Sequence, residues 1–525
     1  MKAADILCAE AIITDVRADT KEAAITQLVS TLAKARGIDA DKAADDVTAR
    51  ERVGPTLLQF SSFLAAVPHA FTTACRQMVM GAGVSREGIA WPGVDVKAKI
   101  IFLMLGPEES RSLYLRILSR VARLLGDSDV ASGLFAAKTS ADFVKKFSAA
   151  EDVLGDLVAG EGAPTFCVLG AGHGGLAMAG HLAIAGQKVN LYNRSKEHIS
   201  PINMRGGIDV TGAIEGFARL NVVTDDPAEA LDGSDVLMVV TPAAAHRDIA
   251  AAIAPHVKDG QIIVLNPGRT GGALEVAQVF RERNPSAKPY IAEAQTLLYA
   301  SRVTNPAQVR IFSIKNSVPL AALPAYNTVD VLAVLKGVLP QFVPGDNVLK
   351  TSLDNIGAVF HPAITILNAA RIEDTHGDFD YYVEGVTPAV ASVLDAIDRE
   401  RVNVASALGI RAHTAREWLY LAYDAAGKSL LDAMRANAGY AGIKAPGRIW
   451  HRYISEDVPA SLVPIASIGE MLNVPTPTIR AMITLASTMH GVDYWKEGRT
   501  VERLGIKGMS VKEIRFLVVG AGAAP

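Results

Sequence analysis

Cysteine is scarce in this 525-residue chain. There are three, Cys8, Cys75 and Cys167, far apart and with no Cys-x-x-Cys. That spacing excludes a disulfide scaffold and a structural zinc. No His-Glu-x-x-His or clustered Cys/His set occurs, so no metal site is expected. Neither sign of charge dominates: 52 Lys and Arg face 55 Asp and Glu, interspersed, for a net −3. No basic stripe suggests a nucleic-acid or membrane-surface partner. The aliphatic-rich run Ile100 to Leu105 is far too short to span a bilayer. Asp5 and Glu10 lie where a signal peptide would be apolar. The expectation is a cytoplasmic protein. Half of the residues are apolar, enough for several cores, and the length suits two or three domains. No internal repeat or low-complexity tract stands out.

What is present is a glycine pattern in FCVLGAGHGGLAMAGHLAIAGQKVNLYNR, residues 166–194. A short apolar strand, Phe166 to Leu169, runs into Gly170-x-Gly172-x-x-Gly175. A helix pattern follows, and then a second strand, Val189 to Tyr192. This is the βαβ fingerprint of a dinucleotide site. Gly170 permits the tight turn, Gly172 lets the backbone approach a pyrophosphate, and Gly175 lets the helix pack on the strand. The helix N-terminus offers unpaired N–H groups and a positive dipole end to phosphates. Taken without its context, the same pattern is also met as a glycine turn needed only for packing.

The second strand ends at Asn193, Arg194 and Ser195, with no carboxylate before Glu197. An acidic residue there would hold a ribose 2′-OH, whereas an arginine and a hydroxyl suit a 2′-phosphate. The reading is NADP, with NAD still open. Val236 to Val240 is a further strand pattern, ending at Thr241-Pro242. Gln261 to Leu265 is another, ending at Asn266-Pro267-Gly268. These strand ends, Thr241 and Pro242 included, should line one crevice at the carboxyl edge of a parallel sheet.

Upstream, residues 1–148 form a first α/β unit. It has a helix pattern at Lys21 to Arg36, a buried strand at Lys99 to Leu105 and an amphipathic helix at Arg111 to Leu125. In that helix Tyr114, Ile117, Leu118, Val121, Leu124 and Leu125 share a stripe, and Arg116, Arg120 and Arg123 face away. Residues 149–162 read as a linker that becomes small and acidic, and the terminal GAGAAP as a frayed tail. Strand–helix alternation fills 163–343. Helix patterns dominate 344–525, for example Thr387 to Leu408 and Ala415 to Ala426.

Three polar positions stand out in the helical third. His361 lies in an apolar segment just before Pro362, which kinks a helix and frees a carbonyl. Asp457 precedes Pro459, and Arg452 lies five residues before Asp457. On spacing alone, His361 reads equally as a satisfied core residue, Asp457 as a helix N-cap and Arg452 as a surface charge.

Residues from about 163 to 525 resemble the octopine/nopaline (opine) dehydrogenase family. The carrying segments are VLGAGHGGLAMAGHLAIAG, NPGRTGG at 266–272, Asn355 to Pro362 (N-x-x-x-x-x-H-P), and Arg452 to Pro459 (R-Y-x-x-E-D-V-P). The resemblance implies a Rossmann-type parallel-sheet domain followed by an all-helical domain. It implies NAD(P)H-dependent reductive condensation of an amino acid with an α-keto acid. His361 and Asp457 would be the acid–base pair, and Arg452 the clamp on a substrate carboxylate, for which a planar guanidinium is suited. Glu293, Thr296, Tyr299 and Arg302 are candidates for the amino-donor side, or belong to an ordinary loop.

Residues 1–148 resemble enzyme IIA of the fructose/mannitol-type sugar phosphotransferase system, carried by RERVG (50–54), AVPHA (66–70) and the run at 100–127. The resemblance makes His69 the candidate phosphoacceptor and a phosphocarrier protein its partner. Two departures stand against this. LLQFSSFLA replaces the glycine-rich run expected before the histidine. Arg111 and Tyr114 lie where the family has its second histidine. A degenerate regulatory or oligomerisation domain is therefore expected. Other readings stay open: a 2-keto acid or hydroxy acid reductase of the same architecture, or a nucleotide-binding, phospho-regulated sensor. The amino acid, the keto acid and the oligomeric state, a homodimer among them, are not fixed by sequence.

Overall fold

The computed structural model describes residues 2–53, 56–60, 63–91, 96–154 and 163–520. It contains two compact units, one of residues 1–157 with 515–525 and one of residues 158–514. The expected linker begins inside a helix, Ser140–Leu154. Residues 155–162, Gly54 of the RERVG segment and 521–525 of the tail lie outside the described residues.

The first unit is the expected α/β body. Its strands are β1 (Leu7–Ile13), β2 (Leu57–Gln59), β3 (Leu64–Ala66), β4 (His69–Phe71), β5 (Val79–Ile89) and β6 (Ala98–Gly106). The sheet runs β1-β5-β6-β3-β2, with β4 also paired to β6. Strand β6 is central, antiparallel to β5 and parallel to β3 and β4. Ile100 to Leu105 is therefore buried on both faces, which is why it reads as an unbroken apolar run. Leu28, Leu32 and Val29 of the helix Lys21–Arg36 close one side of this core. The helix expected from Arg111 spans Arg111–Gly126. One expectation about it fails. Arg120 does not face away: its Nε donates to Glu151 Oε1 at 2.6 Å, with the side chain 12% exposed. The fully buried Glu151 also caps the backbone N–H groups of Ala3 and Ala4, so a cation is needed beside it. The side chains of Arg116 and Arg123 lie outside the described residues.

The second unit is built on β7 (Phe166–Leu169), β8 (Val189–Tyr192), β9 (Gly207–Gly212), β10 (Gly216–Arg219), β11 (Val222–Thr224), β12 (Val236–Val239), β13 (Ile262–Leu265), β14 (Tyr290–Ala294), β15 (Tyr299–Asn305), β16 (Gln308–Ile314), β17 (Val318–Leu323) and β18 (Phe342–Pro344). Eight form one sheet in the order β11-β8-β7-β12-β13-β14-β17-β18. It is parallel from β11 to β14, and β17 runs antiparallel to β14. The strand order reverses beside β7, the switch point where ligands bind in such sheets. Simple strand–helix alternation does not hold throughout 163–343. A second sheet, β10-β9-β16-β15, intervenes, and it packs on the fingerprint helix His173–Ile184. A Cβ at Gly180 of that helix would lie 2.5 Å from Val210 Cγ2.

Beyond β18 the described residues are helical apart from an isolated bridge between Asp380 and Lys444. The helix Pro388–Ala407 packs against Gly357–Leu367 and Pro477–His490. Among the described residues no helix is long and apolar enough to cross a membrane.

Candidate active site

The glycine fingerprint does what its spacing requires. Gly170 has φ 119°, open to glycine only. A Cβ at Gly175 would stand 1.8 Å from the Gly170 carbonyl oxygen, whereas one at Gly172 would meet nothing within 4 Å. Gly172 is the N-cap of the helix and gives its first turn no side-chain cap. Open space therefore faces uncapped N–H groups, which is the arrangement a pyrophosphate needs. Close by, the Thr241 hydroxyl is buried with no hydrogen-bond partner, and Pro242 leads into the following turn. These features fit a dinucleotide.

At the end of β8, Asn193 is not free for a ribose. Its Oδ1 accepts from Ala171 N at 3.0 Å and its Nδ2 donates to Ser195 O at 3.0 Å, bracing the phosphate turn. Ser195 Oγ donates to Glu197 Oε2 at 2.9 Å. Arg194 is exposed and makes no ion pair among the described residues.

His361 sits in the helix Gly357–Leu367, with Pro362 inside that helix. Its carbonyl accepts from Thr365 Oγ1 and Tyr381 Oη, both at 2.8 Å. Its Nδ1 lies 2.9 Å from Asp457 Oδ2, and its Nε2 lies 3.2 Å from Tyr382 Oη. The Tyr453 ring stacks on it at 4.2 Å between centroids and 16° between planes. The imidazole is thus fixed on three sides, with 20% of the side chain exposed.

Asp457 opens a π-helical turn, Val458–Leu462, without capping it. The N-cap alternative therefore fails, and the carboxylate is free to serve His361. Asp457 is fully buried, and Arg269 Nη1 stands 2.8 Å from its Oδ1. Burial alone would raise the Asp457 pKa, but the charges of Arg269 and His361 outweigh it and hold the carboxyl below the usual range. A carboxylate at Nδ1 favours the ring proton there, which turns Nε2 toward Tyr382 Oη.

Arg269 went unrecognised in the sequence, although it lies in NPGRTGG. It follows β13 with φ 58°, a left-handed turn that aims it into the helical layer. It pairs with Glu456 as well as Asp457, and those two carboxylates outweigh the effect of burial and raise its pKa. Gly357 makes the approach feasible: a Cβ there would meet Arg269 Nη1 at 2.9 Å. The turn itself is gripped by the buried Arg499, which donates to Gly268 O and Ala243 O and pairs with Glu275 at 2.7 Å. A charged residue in a glycine-flanked turn at a strand end was the available signal.

Arg452 sits at the rim, 57% exposed, with Nε 3.0 Å from Glu456 Oε2. The four donor-side candidates scatter. Glu293 is buried and committed to Ala273 N, Thr351 and Ser352. Tyr299 is buried, its hydroxyl on His181. Neither faces the crevice as a ligand. Arg302 is exposed on β15, and Thr296 Oγ1 accepts from Lys315 Nζ at 2.8 Å. In the first unit His69 is 4% exposed, with Nδ1 3.2 Å from Val67 O and 3.0 Å from Tyr114 Oη.

The family model for the alpha-helical domain of NAD/NADP octopine/nopaline dehydrogenase matches residues 344–490. The model for the N-terminus of NAD-dependent glycerol-3-phosphate dehydrogenase matches 165–282. The model for EIIA 2 of the phosphoenolpyruvate-dependent sugar phosphotransferase system matches 5–149. An opine dehydrogenase from Arthrobacter sp. (strain 1C) is 40% identical over 67% of this chain and 98% of its own length. Protein ocs of Agrobacterium tumefaciens (strain Ach5) is 25% identical over 66% of this chain and 97% of its own. Octopine dehydrogenase solved with NADH and L-arginine superposes with a TM-score of 0.57 at 22% identity, covering 69% of this chain and 99% of that one. Yersinopine dehydrogenase with NADP+ gives 0.54 at 15% identity, over 68% and 98%.

Proposed function

This chain belongs to the opine dehydrogenase family, and from that premise we propose that it condenses an amino acid with an α-keto acid and reduces the resulting imine. It is an NAD(P)-dependent oxidoreductase acting on CH–NH groups. The observation that carries the finer reading is the chain of contacts from Arg269 through Asp457 to His361, at 2.8 and 2.9 Å.

In this reading the fingerprint turn, Thr241 and Pro242 hold the dinucleotide, which supplies hydride when bound. The exposed Arg194 favours NADP, because its guanidinium has no ion pair among the described residues at the end of β8; NAD is accommodated as the second cofactor. The rim guanidinium of Arg452 grips the keto acid carboxylate bidentately and orients the carbonyl. His361, held by Asp457 and stacked on Tyr453, gives a proton from Nε2 as carbonyl oxygen leaves as water. In the oxidative direction the same atom takes a proton from the water that attacks the imine. Arg269 keeps Asp457 ionised and so keeps the ring in the right tautomer.

For the first unit we infer a regulatory role without phosphoryl transfer. The buried His69 ring, stacked on Tyr114 at 4.2 Å, supports this, because a phosphocarrier must reach the ring. Failure to label the chain with phosphoenolpyruvate and the general phosphotransfer proteins is the expected result; a label on His69 would refute it.

NADPH and NADH oxidation with pyruvate, oxaloacetate or 2-oxoglutarate, with and without each of twenty amino acids, tests the main reading. Oxidation should need both a keto acid and an amine. Oxidation with keto acid alone would instead identify a simple keto acid reductase.

A further inference from the structure

Lys315 joins β16 to β17 and was not singled out by any motif. Its backbone N–H donates to Leu298 O at 3.0 Å. Its Nζ donates to Thr296 Oγ1 and to Leu297 O, both at 2.8 Å. Thr296 and Leu297 follow β14, so the ammonium is tied to the carboxyl edge of the parallel sheet. Leu297 reaches from there to the fingerprint: a Cβ on Gly174 would lie 3.0 Å from Leu297 Cδ2 and 3.1 Å from Val240 Cγ1. The lysine head is therefore held beside the crevice that the glycine turn opens.

Its company is unusual. Arg269 and Arg452 both face carboxylates of the chain itself. Lys315 has no acidic side chain within ion-pair distance among the described residues, and its two acceptors are neutral oxygens. Arg302, also unpaired among the described residues, is exposed and has no hydrogen bond fixing its head. Lys315 is pinned at the head while solvent still reaches its side chain. Burial of that head, with the Arg269 charge nearby, lowers its pKa to about 8. An ammonium fixed by two neutral oxygens, with one donor position left over, suits an incoming anion.

The reaction brings two carboxylates, one on each side of the new C–N bond, and Arg452 accounts for one. We propose that Lys315 binds the carboxylate of the amino-acid donor and so selects amino acids over plain amines. This rests on the opine-forming reading above.

Lys315→Met keeps length and removes charge, and should be compared with wild type using an accepted amino acid and its decarboxylated amine. The variant should lose about 10- to 100-fold in kcat/KM for the amino acid, the range for a hydrogen bond to a charged group. The amine should change by less than about twofold, as substrate or, if it is not turned over, as a competitive inhibitor. The keto acid KM and NAD(P)H binding by fluorescence should hold, the latter also confirming the fold. Equal losses for both donors, or an effect confined to the keto acid or the cofactor, overturns the assignment alone. Wild-type turnover without any amine requirement overturns the opine reading and this assignment with it.

Discussion

Two histidines in this molecule share a setting and, in the proposed reading, differ in use. His361 and His69 each stack on a tyrosine with centroids 4.2 Å apart, at 16° and 25° between planes. Each has Nδ1 engaged. For His361 the partner is a buried carboxylate; for His69 it is a backbone carbonyl and a phenol. His361 keeps 20% of its side chain exposed, whereas His69 is 4% exposed. Stacking aligns a ring in both places. Charge on the partner and access for a reactant are what separate a proton donor from a packed residue.

Substitution at the two rings should split them most widely. His361→Asn is expected to lower kcat by about 10²- to 10⁴-fold with NAD(P)H binding intact by fluorescence titration. His69→Ala should leave basal turnover within about twofold, since the contacts it loses, to Val67 and Tyr114, lie within the first unit. Comparable losses at both would erase the distinction.

The next largest effect concerns the charge behind His361. Arg269→Met strands two buried carboxylates, and removal of one partner of a buried pair costs about 3–5 kcal/mol. Chemical denaturation should show that loss. A destabilisation of under about 1 kcal/mol, the range of an exposed pair, would mean that the network is solvated.

A pH effect follows from the same pair. Asp457 is depressed when folded, so its contribution to stability is complete above the ordinary carboxylate value of about 4 and is lost as pH falls through the lower folded value. Thermal melts between about pH 6 and 3 should show Asp457→Asn losing less stability on acidification than wild type. A parallel decline in both would put the acid sensitivity elsewhere. A smaller effect than that at His361 is expected at Tyr382→Phe. Loss of a neutral hydroxyl 3.2 Å from His361 Nε2 should change kcat by no more than about tenfold, read most clearly in the pH–rate profile.

The sequence made the cofactor turn legible because backbone sterics dictate it: no side chain fits at Gly175. The buried strands β7, β12 and β13 were legible for a related reason, since strands covered on both faces read as unbroken apolar runs, which β8 breaks only at Asn190. The strands β9, β10, β15 and β16 were not, because they are half exposed and rich in polar residues. His361 and Asp457 drew notice as polar positions, but their pairing was legible only through resemblance. They are 96 positions apart, and no local pattern announces a contact of that range. Arg269 and Lys315 were missed for the opposite reason. Each reads locally as a surface charge, and only the fold puts one beneath a carboxylate and the other against a strand end.

The Arg269–Asp457 contact joins the edge of the sheet to the helical layer across 188 positions of chain. It therefore acts as a latch as well as an electrostatic support. Prising the layers apart would break both ion pairs of that guanidinium, so the contact favours the closed arrangement.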